Sequence, residues 1–409
     1  MTPILPSLPG HAALKPLLIC FSHLRWDFVF QRPQHLLSRA AASYRVIFVE
    51  EAMQLPPEQG LPRMETRRTA QDVLVATPLL PAGLDEARRD SAQRILLDEL
   101  LRGPEANGPI SVTWYYTPMA LAFSGHLQSA VTVYDCMDEL SAFRGASPGL
   151  QLLERRLIQR ADVVFTGGRS LYEAKRNLHP RTHLFASGVD AVHFAQARTE
   201  IFHNAQPEDQ RDLPYPRLGW FGVIDERMDL DLLREVALRR PDWSVVMLGP
   251  VVKIDPAALP RVPNVHWLGM KQHQHLPCYL ASWNVGFMPF ALNESTRYIS
   301  PTKTPEYLAA GVPVVSTPVA DVVHDWGSEG LVAIASDADA VIVAAEASMA
   351  RARKPWLAQV DVRLARISWD GVWTGMADIL RETGAEGRVS RMGGQASGQT
   401  SNSASFPHV

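Results

Sequence analysis

Short apolar segments alternate with longer amphipathic segments along the first half of the chain. Runs of strand-forming apolar residues predict strands at residues 17–21, 45–49, 73–76, 111–115, 131–134 and 163–166. Helical spacing of apolar residues predicts helices at residues 33–42, 92–101, 148–160 and 170–178. Strands that alternate with helices are typical of βαβ units, so we predict a parallel sheet covered by helices.

The alternation stops at residues 195–216, a polar segment with prolines at 207, 214 and 216, which we interpret as a linker. It resumes with predicted strands at 217–221, 244–248, 265–268, 285–288 and 312–316, and helices at 229–239, 275–282 and 304–310. We therefore predict the α/β class, with two Rossmann-like domains at residues 1–195 and 212–365. Two such domains would hold a ligand in the cleft that the carboxyl ends of their strands face. Residues 384–409 are rich in Gly, Ser, Gln and Asn, and we expect a disordered tail there.

The composition is that of an ordinary globular protein. The 409 residues are 46% hydrophobic and 20% charged, and the formal net charge of −3 gives no reason to expect a nucleic acid partner. Cys20, Cys136 and Cys278 are far apart in sequence, which argues against a structural zinc site or a disulfide framework. The chain has no signal-peptide pattern and no apolar run near the ~20 residues of a membrane helix. We therefore expect a cytoplasmic protein, at most peripheral at the inner face of the cytoplasmic membrane.

The most informative segment runs from Ser300 to Glu306, with the sequence SPTKTPE. It follows a predicted strand and a polar loop, and a predicted helix begins near its centre. A helix start offers free N–H groups and a positive dipole end, which suit a phosphate. Lys303 in the first turn opposes that dipole unless an anion is bound, and a carboxylate at Glu306 can accept hydrogen bonds from a ribose diol. The alternative is a helix with an exposed lysine and glutamate.

The pattern P-x-K-x-x-E-Y-x-A-x-G-x-P-V-V, beginning at Pro301, resembles the donor-site signature of GT-B fold glycosyltransferases of group 1, close to family four. The resemblance implies that the backbone at Ser300 and Pro301, together with Lys303, binds the diphosphate of a nucleotide sugar, and that Glu306 holds the ribose. It also implies a C-terminal helix at 366–383 that crosses back onto the N-terminal domain. Domain closure on donor binding is expected, because each half supplies part of the site.

Two further segments resemble parts of the same donor site. Arg227, after the turn at Gly222 in GWFGVIDER, matches a basic residue that contacts the donor phosphates, and two cations would stabilise the leaving diphosphate without a cofactor or metal. The alternative for Arg227 is a surface ion pair with Asp225 or Asp229. By the same resemblance, the base would be contacted by three residues: Gly269, Met270 and Lys271.

The run FSHLRWDFVFQRPQHLL after the first predicted strand resembles the opening of a bacterial subgroup that includes teichuronic-acid-type polysaccharide glycosyltransferases. Its dense aromatic and ionisable groups indicate a loop at the acceptor or the reaction centre. His23 and Asp27 are candidate bases if the reaction inverts the anomeric centre. Acceptor or cleft contacts are expected from Arg25, Trp26, Arg32, Asp135 and Asp138. The alternatives are a buried hydrogen-bonding role for His23, and capping of the following turn by the last two aspartates.

The sequence departs from the family pattern at one position. The family often has a glutamate near the donor sugar, eight residues before the ribose-binding one, but Tyr298 occupies that position here. Glu294 is the nearest carboxylate, and we expect Asn293 or Glu294 to take the role.

Together these features predict transfer of a sugar from a nucleotide sugar, UDP-linked, to a glycan or lipid-linked acceptor in bacterial cell-surface polysaccharide synthesis. The transfer is expected to be retaining and metal-independent. Two alternatives remain: a non-transferring enzyme of the same architecture, such as a UDP-sugar epimerase, and a catalytically weak nucleotide-sugar-binding scaffold. The basic residues between Arg155 and Arg181 indicate either a solvated face or contact with an anionic membrane surface.

Overall fold

The computed structural model describes residues 14–56, 60–143 and 145–396, with side chains up to residue 386. Two separate sheets organise these residues. The fold is α/β with two Rossmann-like domains, as the sequence predicts. Among the described residues, no helix combines the length and apolar character needed to cross a membrane.

The N-terminal sheet has the strand order β3-β5-β2-β1-β6-β7-β8-β9, and β4 pairs with β5. Its strands are β1 (Leu17–Phe21), β2 (Arg45–Val49), β3 (Met53–Leu55), β4 (Arg63–Arg68), β5 (Val73–Pro81), β6 (Ile110–Tyr115), β7 (Ser129–Cys136), β8 (Val163–Thr166) and β9 (Thr182–Leu184). The strands pair in parallel except β4, which runs antiparallel to β5. β4 was not predicted, because its residues, RMETRR, are charged and mostly exposed and show no apolar alternation.

Helices cover this sheet and lead to the second domain. They are α1 (Arg32–Ala40), α2 (Glu86–Arg102), α3 (Leu121–Ser124), α4 (Leu150–Arg160), α5 (Arg169–Lys175), α6 (Ala191–Ala195), α7 (Glu200–Asn204) and α8 (Glu208–Arg211). The predicted linker at 195–216 is partly helical rather than a plain polar loop. It packs on the second domain because buried Gln210 bonds the Tyr279 carbonyl and the Ser282 hydroxyl, and accepts from Trp283 Nε1.

The C-terminal sheet is parallel throughout, in the order β12-β11-β10-β13-β14-β15. Its strands are β10 (Arg217–Phe221), β11 (Ser244–Leu248), β12 (Val265–Gly269), β13 (Val285–Met288), β14 (Val314–Ser316) and β15 (Val332–Ile334). Its helices are α9 (Leu230–Arg239), α10 (Leu276–Leu280), α11 (Lys303–Ala309), α12 (Ala320–Val322), α13 (Ala338–Ala350) and α14 (Arg353–Leu364).

The last helix, α15 (Trp369–Ala396), returns to the N-terminal domain. Trp369, Met376 and Leu380 are buried in the same apolar cluster as residues of β1, β6 and β7. The expectation of disorder from residue 384 is wrong for 384–396, because extending a helix that is already packed costs little. The rest of the expected tail, 397–409, lies outside the described residues.

Candidate functional site

A cavity of about 670 Å³ lies between the two domains, at the carboxyl ends of their strands. The C-terminal domain contributes the loops after β10 and β11, the segment after β12 and the start of α11. The N-terminal domain contributes the loop after β1 and the β4–β5 turn. Sites that bury a small organic ligand commonly have volumes of about 300–1,000 Å³, so the cavity can hold one.

Lys303 is the first residue of α11 and lines this cavity. Its ammonium lies 4.8 Å from the centre of the Trp220 ring, and no carboxylate of a described residue lies within ion-pair distance of it. Gly222, with φ of +132°, approaches so closely that a Cβ there would overlap Lys303 Cε. Burial, together with the nearby charge of Arg227, lowers the pKa of Lys303 to about 8. A bound anion would offset both effects, so the lysine suits a phosphate.

Arg227 lies between β10 and α9 and is oriented by Asp225. Its Nε and Nη2 atoms donate to both oxygens of the buried Asp225 carboxylate, at 2.7–3.1 Å. Burial disfavours the charged guanidinium, but the hydrogen bonds and charge of Asp225 outweigh this and raise the pKa of Arg227. The ion pair with Asp225, which is one of the alternatives for Arg227, is therefore present. Arg227 also lines the cavity.

Glu306 lies one turn after Lys303 and lines the same cavity. Its carboxyl group makes no hydrogen bond or ion pair with the described side chains. Burial raises the pKa of Glu306 to about 8, and the charge of Lys303 opposes that rise. The next residue, Tyr307, accepts a hydrogen bond from the Phe221 amide at 2.9 Å, which fixes α11 against β10. One helix therefore presents a cation and a carboxyl group to one cavity.

The segment after β12 forms another wall of the cavity. Gly269 has φ of +71°, and its carbonyl accepts from the Gly249 N–H at 2.8 Å, which holds the turn in place. Met270 is 50% exposed, and Lys271 forms an ion pair with Asp209 at 2.6 Å. Met270 and Lys271 line the cavity, whereas Gly269 supports the turn behind them.

A smaller cavity of about 120 Å³ shares Arg227 and Lys303 with the large one. Ser300 and Pro301 line it from the C-terminal domain, and Asp138 lines it from the N-terminal domain. Burial raises the pKa of Asp138 to about 6. The smaller cavity therefore places a carboxyl group of one domain opposite the cations of the other.

Residues 216–350, from β10 to α13, match the model of a family described as "Glycosyl transferases group 1". The matched residues, which make up most of the C-terminal domain, are therefore similar to this family. The match covers the strands and the helix that carry Arg227, Lys303 and Glu306.

One curated protein is also similar to this chain. "Putative teichuronic acid biosynthesis glycosyltransferase TuaH" of Bacillus subtilis (strain 168) is 30% identical over 243 residues, which are 54% of this chain and 59% of that protein. The chain therefore matches less than two thirds of that relative's length.

The solved structures show the fold as GT-B. Sucrose-phosphate synthase from Thermosynechococcus elongatus is 14% identical, with a TM-score of 0.67 over 91% of this chain and 100% of that one. A UDP-forming α,α-trehalose-phosphate synthase from Burkholderia xenovorans, in complex with glucose-6-phosphate, is 12% identical, with a TM-score of 0.65 over 90% of this chain and 99% of that one.

The loop after β1 lies opposite the C-terminal domain, and only some of its side chains line the large cavity. Trp26 and Asp27 line the large cavity. Trp26 is buried, whereas Asp27 is largely exposed and forms an ion pair with Arg67 at 2.5 Å. Arg25 points away from the cavity and donates to the Glu50 carboxylate at 3.1 Å. The loop thus brings two of its predicted residues to the cleft.

His23 lines neither of these two cavities. Its Nδ1 is buried without a hydrogen-bond partner among the described residues. Burial lowers the pKa of His23 to about 4, although a hydrogen bond with the Tyr116 backbone opposes this. The role of His23 as a base stays a prediction, and burial and the charge of Lys253 both disfavour its charged form.

Arg32 and Asp135 form an ion pair beneath the cleft. They are 1% and 0% exposed, and Arg32 donates to both carboxylate oxygens at 2.9–3.1 Å. Arg32 Nη1 also donates to the Phe185 carbonyl at 2.7 Å. The prediction that Asp135 faces an acceptor is wrong, because Arg32 occupies both of its oxygens. Arg32 itself borders the smaller cavity.

Glu294 lies outside the two cavities. It is exposed, 3.7 Å from Arg297, because its loop folds on itself through hydrogen bonds between Asn293 and Thr296. The role of Glu294 at a donor sugar stays a prediction. The carboxyl group that lines the smaller cavity is that of Asp138.

A contact between Asp321 and the start of α5 joins the two domains near the site. The carboxylate of Asp321 accepts the N–H groups of Arg169 and Ser170 at 2.9 and 3.0 Å, at the start of α5, and also bonds the Ser170 hydroxyl. About 150 residues separate these partners, so no local pattern predicts them. Trp220, beneath the Lys303 ammonium, was missed because it lies in a strand that reads as plain core.

Four cations of the basic segment from Arg155 to Arg181 form ion pairs: Arg169 with Asp325, Lys175 with Glu139 and Glu154, Arg176 with Glu173, and Arg181 with Glu386. Arg155, Arg156 and Arg160 are exposed, so the choice between a solvated face and contact with a membrane stays open. No group of three or more His, Cys, Asp or Glu within the described residues is arranged to hold a metal ion.

Proposed function

We propose that the protein transfers a hexose from a UDP-sugar to a glycan or lipid-linked acceptor in bacterial cell-surface polysaccharide synthesis. The observation that carries the proposal is the convergence of Lys303, Arg227 and Glu306 on one cavity. The group 1 family match and the UDP-forming structural neighbour support UDP. The teichuronic acid relative supports a cell-surface product.

In this proposal the large cavity holds UDP. The diphosphate lies against the start of α11, where the first N–H groups have no preceding turn to bond. Lys303 and Arg227 contact its oxygens, and Glu306 accepts hydrogen bonds from the ribose diol. The base lies against Met270 and the backbone of the segment after β12.

The sugar lies in the smaller cavity, near Asp138. As the bond between the anomeric carbon and the β-phosphate oxygen breaks, negative charge develops on the leaving diphosphate. Lys303 and Arg227 stabilise that charge without a protein-held metal. In a retaining transfer, the acceptor hydroxyl attacks from the face that the diphosphate leaves, and its proton passes to the departing phosphate oxygen.

The test is a calorimetric titration with UDP, combined with measurement of UDP release from a panel of UDP- and GDP-sugars. Lys303→Ala should lose at least about tenfold in UDP affinity, because it removes a charge-assisted hydrogen bond worth ~1.5–3 kcal/mol. Lys354→Ala removes an exposed lysine outside the cavities and is the matched control. Equal UDP affinity in wild type and Lys303→Ala would show that the donor site lies elsewhere.

The same panel tests the finer parts of the proposal. Release of UDP that persists in excess chelator would support metal independence, and loss of release would contradict it. The anomeric configuration of the product, read by NMR, would separate retention from inversion.

A further inference from the structure

A carboxylate of the C-terminal domain is buried against the N-terminal domain. Asp321, in α12, is 3% exposed. Its Oδ2 accepts the N–H of Arg169 at 2.9 Å, and its Oδ1 accepts the N–H of Ser170 at 3.0 Å together with the Ser170 hydroxyl. Each oxygen therefore has a donor from the other domain. Asp321 lines neither the large cavity nor the smaller one, so a direct contact with the donor does not explain its burial.

The donors of the N-terminal domain are what make this burial tolerable. Burial raises the pKa of Asp321, and the hydrogen bonds from Ser170 and from the Arg169 N–H oppose that rise. A carboxylate that is buried without such partners is strongly destabilising. Asp325, in a π-helical turn at Val323–Gly327, adds an ion pair with Arg169 at 3.3 Å. We call the contacts of these two aspartates with Arg169 and Ser170 the interdomain clamp.

The clamp holds a turn of two glycines, Gly167 and Gly168, that has no room for side chains. A Cβ on Gly168 would lie 2.5 Å from Asp321 Oδ2 and 2.6 Å from Ser300 Cβ. A Cβ on Gly167 would lie 3.0 Å from the Met137 Cα. Gly168 has φ of −163°, which any residue adopts, so glycine is needed there for close approach rather than for its backbone conformation. The turn is therefore held tightly between segments of both domains.

This glycine turn connects the clamp to the smaller cavity. Gly167 lines that cavity beside Met137 and Asp138. Since Gly167 packs on the residue directly before Asp138, the clamp fixes where the Asp138 carboxyl group lies relative to the C-terminal domain. Lys303 and Arg227 line the same cavity from the opposite side. A displacement of about 1 Å between reacting groups can slow a reaction about a hundredfold, so this distance matters for transfer.

We propose that Asp321 is a positioning residue for the sugar transfer. It docks the glycine turn on Ser300 and thereby holds Asp138 opposite the two cations of the donor site. Asp321 itself contacts neither the donor nor the reacting atoms. Its effect on turnover rests on the proposed glycosyltransferase function, whereas its effect on the docking of the two domains does not.

The first test compares turnover with donor binding in the full chain. Asp321→Ala should lower kcat for UDP release at least about tenfold, because three donors lose a charged acceptor. Its affinity for UDP should stay within about threefold of wild type, because the proposed UDP contacts all belong to the C-terminal domain. Ser170→Ala removes one donor and should lower kcat about two- to tenfold. Asp231→Ala removes an exposed carboxylate of α9 outside both cavities, and as the matched control it should change neither quantity.

A second variant tests the inference if Asp321→Ala fails to fold. Gly168→Ala leaves every polar group in place but adds a methyl group where the domains meet, so it should also lower kcat at least about tenfold. Gly149→Ala is its matched control, because a Cβ there would meet only Ser147 Oγ, at 3.9 Å. Small-angle X-ray scattering with and without UDP measures the docking itself. Asp321→Ala and Gly168→Ala should both have a larger radius of gyration than wild type, and the two controls should not.

Wild-type kcat in both Asp321→Ala and Gly168→Ala, or a wild-type radius of gyration in both, would overturn the inference. So would a loss of UDP affinity in Asp321→Ala as large as its loss of kcat, because Asp321 would then belong to the donor site. Melting profiles of all variants identify any loss that comes from unfolding. Wild-type protein that releases UDP from no sugar of the panel would contradict the proposed function. Scattering would then still decide whether Asp321 docks the two domains, so the two failures are distinguishable.

Discussion

The affinity of the protein for UDP should fall as the pH rises above neutrality, because Lys303 must be charged to bind a diphosphate. In the free site, burial and Arg227 lower the pKa of Lys303 to about 8. Bound diphosphate offsets both effects and raises that pKa. By linkage, binding is therefore tightest where the free lysine is protonated, and it weakens as the pH rises through about 8.

The magnitude follows from the fraction of charged lysine. With a pKa of about 8 in the free site, the charged fraction falls about tenfold between about pH 7 and about pH 9. UDP itself changes little in that range, since the second phosphate ionisation lies near pH 6. We therefore expect a loss of about tenfold.

Calorimetry at several pH values, in buffers with different ionisation enthalpies, measures both the affinity and the proton uptake. Wild-type protein should take up a fraction of a proton on binding UDP near pH 8–9, and Glu306→Gln should retain most of that uptake. Lys303→Ala should bind weakly across the range and lose most of the pH dependence. If Lys303→Ala kept the wild-type pH profile, the titrating group would not be this lysine.

Three further predictions concern the same architecture. Glu306→Ala should reduce the preference for UDP over its 2′-deoxy analogue by about 2- to 10-fold, because the carboxyl group no longer bonds the ribose diol; competition titrations measure this ratio. Gly222→Ala should weaken UDP binding at least about tenfold, because its Cβ would displace Lys303. Gly83→Ala carries a similar left-handed φ with no neighbouring atom and should destabilise by about 1 kcal/mol without affecting UDP. Removing the chain from Trp369 onward should lower the melting temperature of the N-terminal domain markedly, because it exposes the cluster on β1, β6 and β7; an unchanged melting profile would count against the returning helix.

The position of Lys303, Glu306 and Arg227 at one cavity follows from local features of the sequence. Lys303 and Glu306 lie on one turn of one helix, and the helix follows a strand whose carboxyl end must face the cleft. Arg227 is predictable for the same reason, since it follows the first strand of its domain. Periodicity and turn residues are sufficient to place such groups.

The N-terminal half could not be predicted in the same way, because its outcome depends on long-range pairs. Arg32 and Asp135 are 103 residues apart and neutralise each other beneath the cleft, although each follows the pattern of a cleft residue. The position of Glu294 is hard to predict for a different reason. A hydrogen bond between Asn293 and Thr296 closes its loop, and the number of residues in that loop does not reveal which way the Glu294 side chain points. A buried ion pair and an exposed ion pair have the same sequence pattern. Only the structure therefore reveals that the Arg32–Asp135 pair is buried.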